Sequence, residues 1–136
     1  MERIVILFLT IFLLFGFCPV QAEETVDLSA LLQAQNVKYQ ECIKVFNTDN
    51  VHLLHLTIAS INANRFRIDE IQSKTGLILF TAAGKQFLAS ISNVNTNQGM
   101  LKITPIDDNY YFQPGITVNI FKYIELNLNK KLEIMN

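Results

Sequence analysis

The stretch FRIDEIQSKTGLILFTAAGKQFLASISNVNTNQGMLKITPI, residues 66–106, decides the fold. It divides into four short runs, Phe66 to Gln72, Leu77 to Ala82, Gln86 to Val94 and Met100 to Ile106, each rich in β-branched or aromatic residues on alternate positions. That pattern predicts four strands. Ser73-Lys74-Thr75-Gly76, Ala83-Gly84-Lys85 and Asn95-Thr96-Asn97-Gln98-Gly99 separate the runs, each supplying Gly or Asn where the backbone turns through positive φ. Connections this short join antiparallel neighbours, so the stretch predicts a meander. With Ala83-Gly84-Lys85 as the turn, alternation assigns Phe66, Ile68, Leu77, Leu79, Phe87, Ala89, Ile91, Leu101 and Ile103 to a core face. Arg67, Asp69, Ile71, Ile78, Phe80, Leu88, Ser90, Ser92, Met100, Lys102 and Thr104 take the other face.

Upstream, Tyr39, Ile43 and Val45 alternate within Lys38 to Asn47 and predict a first strand. Asn47-Thr48-Asp49-Asn50 offers capping side chains, and Val51, Leu54, Ile58 and Ile61 then recur at steps of three and four, which predicts an amphipathic helix. Asn62 and Asn64 favour its termination. Downstream of the loop Asp107 to Pro114, the residues Ile116, Ile120, Tyr123 and Ile124 predict a closing helix. The order strand, helix, four strands, helix is an α+β domain: an antiparallel sheet of about five strands with two helices packed on one face. The other face is then left open. Ile78, Phe80, Leu88 and Met100 make it more apolar than a solvated face needs, and Arg67, Asp69 and Lys102 rim it.

The chain begins with a different signal. Arg3 leads a run from Ile4 to Phe17 that is apolar except for Thr10 and Gly16, Pro19 breaks it, and Val20-Gln21-Ala22 places small residues where a signal peptidase reads. Residues 1–22 are therefore expected to be a signal peptide cleaved after Ala22, since the apolar run falls short of the roughly 20 residues a membrane span requires. An anchor would arise only if cleavage failed. Cys18 does not fit lipid attachment, because bulky Phe17 precedes it where lipoprotein signals carry a small residue. The remaining 114 residues hold a leader at 23–37, one domain at 38–127 and a tail at 128–136. Their ten Lys and Arg against eleven Asp and Glu create no net field for nucleic acid or an anionic membrane. No Asn-x-Ser/Thr acceptor is present, which favours a bacterial envelope, periplasmic or secreted.

Candidate chemistry is sparse. His52 and His55 share one side of the predicted helix, but two imidazoles do not complete a metal site, and Asp49 or Cys42 would have to join them. Cys42 is the one cysteine after Ala22 and lies within Glu41-Cys42-Ile43, without a glycine turn or helix start to lower its pKa, so it reads as packing and not as a hydrolase nucleophile. Asp107-Asp108-Asn109 lacks the alternating ligands and distal Glu of a calcium loop. Tyr110, Tyr111 and Phe112 sit in a loop, where large rings are either pinned on the core or offered to a ligand. No cofactor is expected and no catalytic constellation is recognisable.

The segment from Leu53 to Phe80, a helix followed by Asn64-Arg65-Phe66-Arg67-Ile68-Asp69 and then Ser73-Lys74-Thr75-Gly76-Leu77-Ile78-Leu79, resembles a unit of small envelope lipoproteins of the BamC type. The resemblance implies a non-catalytic module docking on other envelope proteins, and it carries no functional residue across. The expectation is an exported interaction protein that binds a protein partner, or itself, through the face around Phe80, Leu88 and Met100. The alternative is a binding protein holding a small apolar ligand between sheet and helices, with Tyr110 to Phe112 at the mouth.

Overall fold

The computed structural model describes residues 30–135, with side chains through Leu128. From Gln33 onward the described residues form one compact unit. The expected signal peptide and most of the expected leader lie outside the described residues.

The elements of this unit are β1 (Gln35–Asn36), a 3-10 turn (Tyr39–Cys42), β2 (Ile43–Phe46), α1 (Asn50–Ala63), β3 (Arg67–Gln72), β4 (Leu77–Ala82), β5 (Lys85–Asn95), β6 (Gln98–Pro105), β7 (Tyr111–Phe112) and α2 (Gly115–Met135). Five strands form one antiparallel sheet in the order β2-β6-β5-β4-β3, while β1 and β7 pair as a separate small ribbon. The α+β class and the five-stranded sheet with its two helices agree with the sequence expectation. Three boundaries do not. Lys38 to Cys42 is not strand, because residues 39–42 close a 3-10 turn in which the Lys38 amide donates to the Glu41 carboxylate at 3.2 Å. Residues 35–36 leave the expected leader to pair with β7, and α2 runs past Asn127 to Met135.

Helix α1 starts where its cap dictates. The Asp49 carboxylate accepts the His52 amide at 2.8 Å, satisfying one of the donors that a first turn leaves without a partner. It ends in a Schellman arrangement: Phe66 N–H donates to Ile61 at 3.1 Å and Arg65 N–H to Asn62 at 3.0 Å, with Arg65 at φ 60°. The buried stripe Leu53, Leu54, Leu56, Thr57, Ser60 and Ile61 faces the sheet and α2. Ser60, small and fully buried, lets the two helices meet and donates its hydroxyl to the Ile120 carbonyl at 3.2 Å.

The hairpin β4–β5 corrects the sequence reading of the meander. Ala82 pairs with Lys85, so the loop is two residues, Ala83 at φ 51° and Gly84 at φ 75°, the positive angles of a type I′ turn. A three-residue turn pairs Leu79 with Ala89; the two-residue turn pairs Ile78 with Ala89 and Phe80 with Phe87. One residue of register exchanges the faces of a whole strand. Ile78 and Phe80, expected on the open face, are therefore fully buried, and Leu77 and Leu79 take their place outside. In β3 a bulge at Asp69 has a similar effect: Ile68 pairs with Phe80, but Glu70 pairs with Leu79 and Ile71 with Ile78, which turns Ile71 away from the open face.

The core is built on aromatic rings in series. Phe66 lies 6.1 Å from Phe80, Phe80 lies 5.5 Å from Phe87, and Phe87 meets the edge of Phe112 at 5.0 Å. Tyr110 follows at 6.5 Å from Phe112, and Tyr39 at 6.2 Å from Tyr110 brings the series to the surface. Leu53, Ile61, Ile103, Ile120 and Ile124, all inaccessible to solvent, fill the space between this series and the helices. Gly99 sits beneath the first turn of α1, where a Cβ would come within 2.8 Å of Leu53 Cδ2 and 2.9 Å of Asn50 Oδ1.

Phe80→Ala should cost about 3–5 kcal/mol in urea unfolding, the range for deleting a buried ring, whereas an open-face position would lose under about 1 kcal/mol. Gly99→Ala should cost about 1–3 kcal/mol, because buried Leu53 has no room to retreat. Ala83→Asn should gain several tenths to about 1 kcal/mol, since Asn accepts the left-handed conformation that Ala resists.

Candidate functional site

The sheet face opposite the helices carries residue types that the fold leaves unexplained. Cross-strand pairing lays it out in rows. Arg67, Thr81 and Gln86 form one end; Glu70, Leu79, Leu88 and Thr104 form the next row; Gln72, Leu77, Ser90, Lys102 and Ile43 come after them; Ser92, Met100 and Val45 close it. Leu77, Leu79, Leu88, Met100 and Ile43 are half-buried by their neighbours, and Val45 is 45% exposed. The result is an apolar centre with polar ends.

Of the seven residues expected on this face, the structure brings together Arg67, Asp69, Leu88, Met100 and Lys102 and moves Ile78 and Phe80 into the core. Sequence reasoning missed Leu77, Leu79, Ile43, Val45 and Glu70. The signal that would have found the first two is Ala83-Gly84 read as a complete turn, since that dipeptide suffices for a two-residue hairpin loop. Nothing comparable marks the bulge that brings Glu70 here.

Asp69 is the organising side chain at the polar end. Its carboxylate accepts Thr81 Oγ1 at 2.7 Å, Arg67 Nε at 2.8 Å and Gln86 Nε2 at 3.3 Å, so the extra residue of the bulge pins β3 to β4 and β5. The hydroxyl of Thr81 foremost, and the Arg67 guanidinium after it, hold its carboxyl below the ordinary 3.8. At the opposite corner, Lys102 Nζ lies 6.0 Å from the Tyr39 ring centroid, at the outer limit of a cation–π contact.

The other candidates resolve into structural roles. Phe112 is buried against Phe87, Tyr110 is half-buried, and Tyr111 is 55% exposed on β7, so the loop of three rings is largely pinned. Burial also raises the Tyr110 phenol above its ordinary 10.0. The space between sheet and helices is occupied by Phe80, Phe87, Ile103, Ile120 and their neighbours. Two hollows among the described residues lie elsewhere. One is lined by Asn47, Thr48, Asp49, Val51, His52, His55 and residues 95–98, and the other by Asn50, Leu54, Ser73, Lys74, Thr75 and Ile91.

His52 Nδ1 lies 2.7 Å from Thr48 Oγ1, while Asp49, the nearest acid, serves as the helix cap. Among the described residues no group of three His, Cys, Asp or Glu side chains is placed to hold a metal ion. Asp107 shapes its turn by accepting the Asn109 amide at 3.0 Å and Lys85 Nζ at 3.1 Å, and that amide, before the lysine, lowers its pKa below 3.8. Cys42 is fully buried, its Sγ 3.7 Å from the Lys38 carbonyl, and burial, aided by Glu41, pushes the thiol up to about 11. A thiol held protonated at neutral pH is a poor nucleophile.

Among the described residues no helix is long and apolar enough to cross a membrane. In comparison with known proteins, the chain matches no family model and no curated protein.

Two measurements check this assignment. Cys42 should resist a thiol reagent such as dithionitrobenzoate at pH 8 in the folded protein and react once it is unfolded, because its thiolate is scarce below pH 11. Asp69 has a depressed folded pKa, so its stabilisation is present above pH 4 and is lost as pH falls through the folded value. Asp69→Asn should accordingly flatten the acid limb of a stability profile below about pH 4.

Proposed function

We propose that this chain is an exported, non-catalytic interaction module of the bacterial cell envelope, periplasmic or secreted, that binds a protein partner through its open sheet face. One observation carries the reading. A sheet whose helices all pack on one side keeps five half-buried or exposed aliphatic residues and Met100 on the other. Contiguous apolar surface rimmed by polar groups is the usual mark of an association site. Leu77, Leu79 and Leu88 supply the apolar centre, and Arg67, Asp69, Glu70 and Lys102 supply the rim. Asp49, Asp69, Asp107 and Cys42 are committed to a cap, a bulge, a turn and packing, which favours binding over catalysis.

The export part of the reading rests on residues 1–22, with Arg3, the apolar run and Val20-Gln21-Ala22. The resemblance of residues 53–80 to envelope modules of the BamC type supports the same compartment and a docking role.

The test is in-cell chemical cross-linking of the native protein and of a Leu79→Glu, Leu88→Glu variant, both shown to be folded by circular dichroism. The native protein should yield a cross-linked species that the variant loses by at least about tenfold, as expected when charges enter the centre of an interface. Equal cross-linking by the two proteins would remove the open face from the function. Replacement of Phe80 cannot serve this purpose, because that ring belongs to the core.

A further inference from the structure

We propose that the occupant of the open face is a second copy of this chain, packed face to face about a twofold axis. The inference rests on the reading of that face as a protein-binding surface and names its partner. The arrangement of charge carries it. Glu70 on β3 accepts the Gln72 amide at 2.8 Å, and Lys102 on β6 has only the Tyr39 ring, so neither has an ion partner among the described residues. The three ion pairs of the described residues are Lys44 with Glu125, Arg67 with Asp69, and Lys85 with Asp107.

These two unpaired charges stand at opposite ends of a diagonal across the apolar centre. Glu70 pairs with Leu79, Leu79 with Leu88 and Leu88 with Thr104, and Lys102 lies two residues along β6 from Thr104. With strands about 4.8 Å apart and about 3.4 Å per residue, the acid and the base are separated by roughly 16 Å, and the midpoint falls among Leu77, Leu79, Leu88 and Ser90. A twofold axis lying between two such faces, and crossing that diagonal at right angles at its midpoint, brings Glu70 of each copy onto Lys102 of the other. The same operation lays the apolar centre on itself. An isologous interface demands self-complementarity of this kind, an acid and a base on opposite sides of an apolar centre.

Two further features agree. A net charge of −1 leaves little repulsion between copies. With Arg67 and Lys102 balanced by Asp69 and Glu70, the face offers no net positive charge to an anionic lipid surface. A face roughly 20 Å square falls below the ~800 Å² that a standard interface buries per partner, so the dimer should be weak and concentration-dependent.

Sedimentation velocity on the full chain as exported, from about 5 to 500 μM, tests the proposal in the range where interfaces of this size dissociate. The sedimenting mass should move from one copy towards two. Glu70→Lys and Lys102→Glu should each weaken association at least ~10-fold, and the double reversal should recover it to within ~3-fold, because it restores the pair in the opposite sense. Circular dichroism checks each variant, with Glu70→Gln and Lys102→Gln replacing any that fail to fold. A mass of one copy throughout, or a dimer indifferent to both single reversals, overturns the proposal. A monomer that still loses an in-cell cross-link to another protein on Leu79→Glu, Leu88→Glu overturns it while leaving the protein-binding reading intact. Flotation of that monomer with anionic vesicles overturns both in favour of a lipid surface.

Discussion

The two-residue turn at Ala83-Gly84 is the constraint on which the rest of the structure depends. It forces Phe80 opposite Phe87 and Ile78 opposite Ala89, and so selects which half of the central hairpin enters the core. Ala83 at φ 51° opposes this with about 1–2 kcal/mol of left-handed strain. The gain is larger. Stacking Phe80 on Phe87 links Phe66 at one margin of the sheet to Phe112 and the Tyr110–Tyr39 pair at the other, so a single register choice completes a series of six rings. The alternative register buries Leu77 and Leu79 instead, and these do not provide the ring-on-ring contacts that the series requires.

Once that register is set, the helices and the small ribbon fall into place. Gly99 lets the first turn of α1 rest directly on β6, Ser60 lets α2 approach α1, and Phe112 fixes the ribbon of β1 and β7 over the end of the core. The ion pair of Lys44 with Glu125 ties β2, the edge strand, to the outer side of α2. The opposite edge, β3, carries Arg67, Asp69 and Glu70 together with a bulge, devices that discourage strand addition at an edge. Strand addition is thereby discouraged at that sheet margin.

The same economy shows where the polar residues that suggest chemistry are spent. Asp49 caps α1, His52 meets Thr48, Asp69 secures a bulge, Asp107 closes a turn, and Cys42 is an inert filler under the 3-10 turn. Each satisfies a local demand created by the backbone, chiefly an amide or a turn without another partner. What this leaves over is a surface with Glu70 and Lys102, neither ion-paired among the described residues, on either side of an aliphatic centre.

Much of this fold is legible along the chain. The five strands of the main sheet and their chain order, the antiparallel meander, α1 with its capping segment from Asn47 to Asn50 and the start of α2 emerge from local pattern, because alternation, helical periodicity and capping act between residues a few positions apart. The polar rim, Arg67, Asp69 and Lys102, and the outward Leu88 and Met100 emerge the same way. Tertiary structure alone decided that Phe80 is core and Leu79 is surface, that Asp69 is the bulge, and that Gln35–Asn36 pairs with residues 111–112. The physical reason is parity. Each strand of the central hairpin offers apolar residues on both faces, so the pattern permits either assignment, and only the turn length together with the fit of Phe80 against Phe87 selects between them. Local pattern thus determined which elements exist, and long-range packing determined which of their faces meets the solvent.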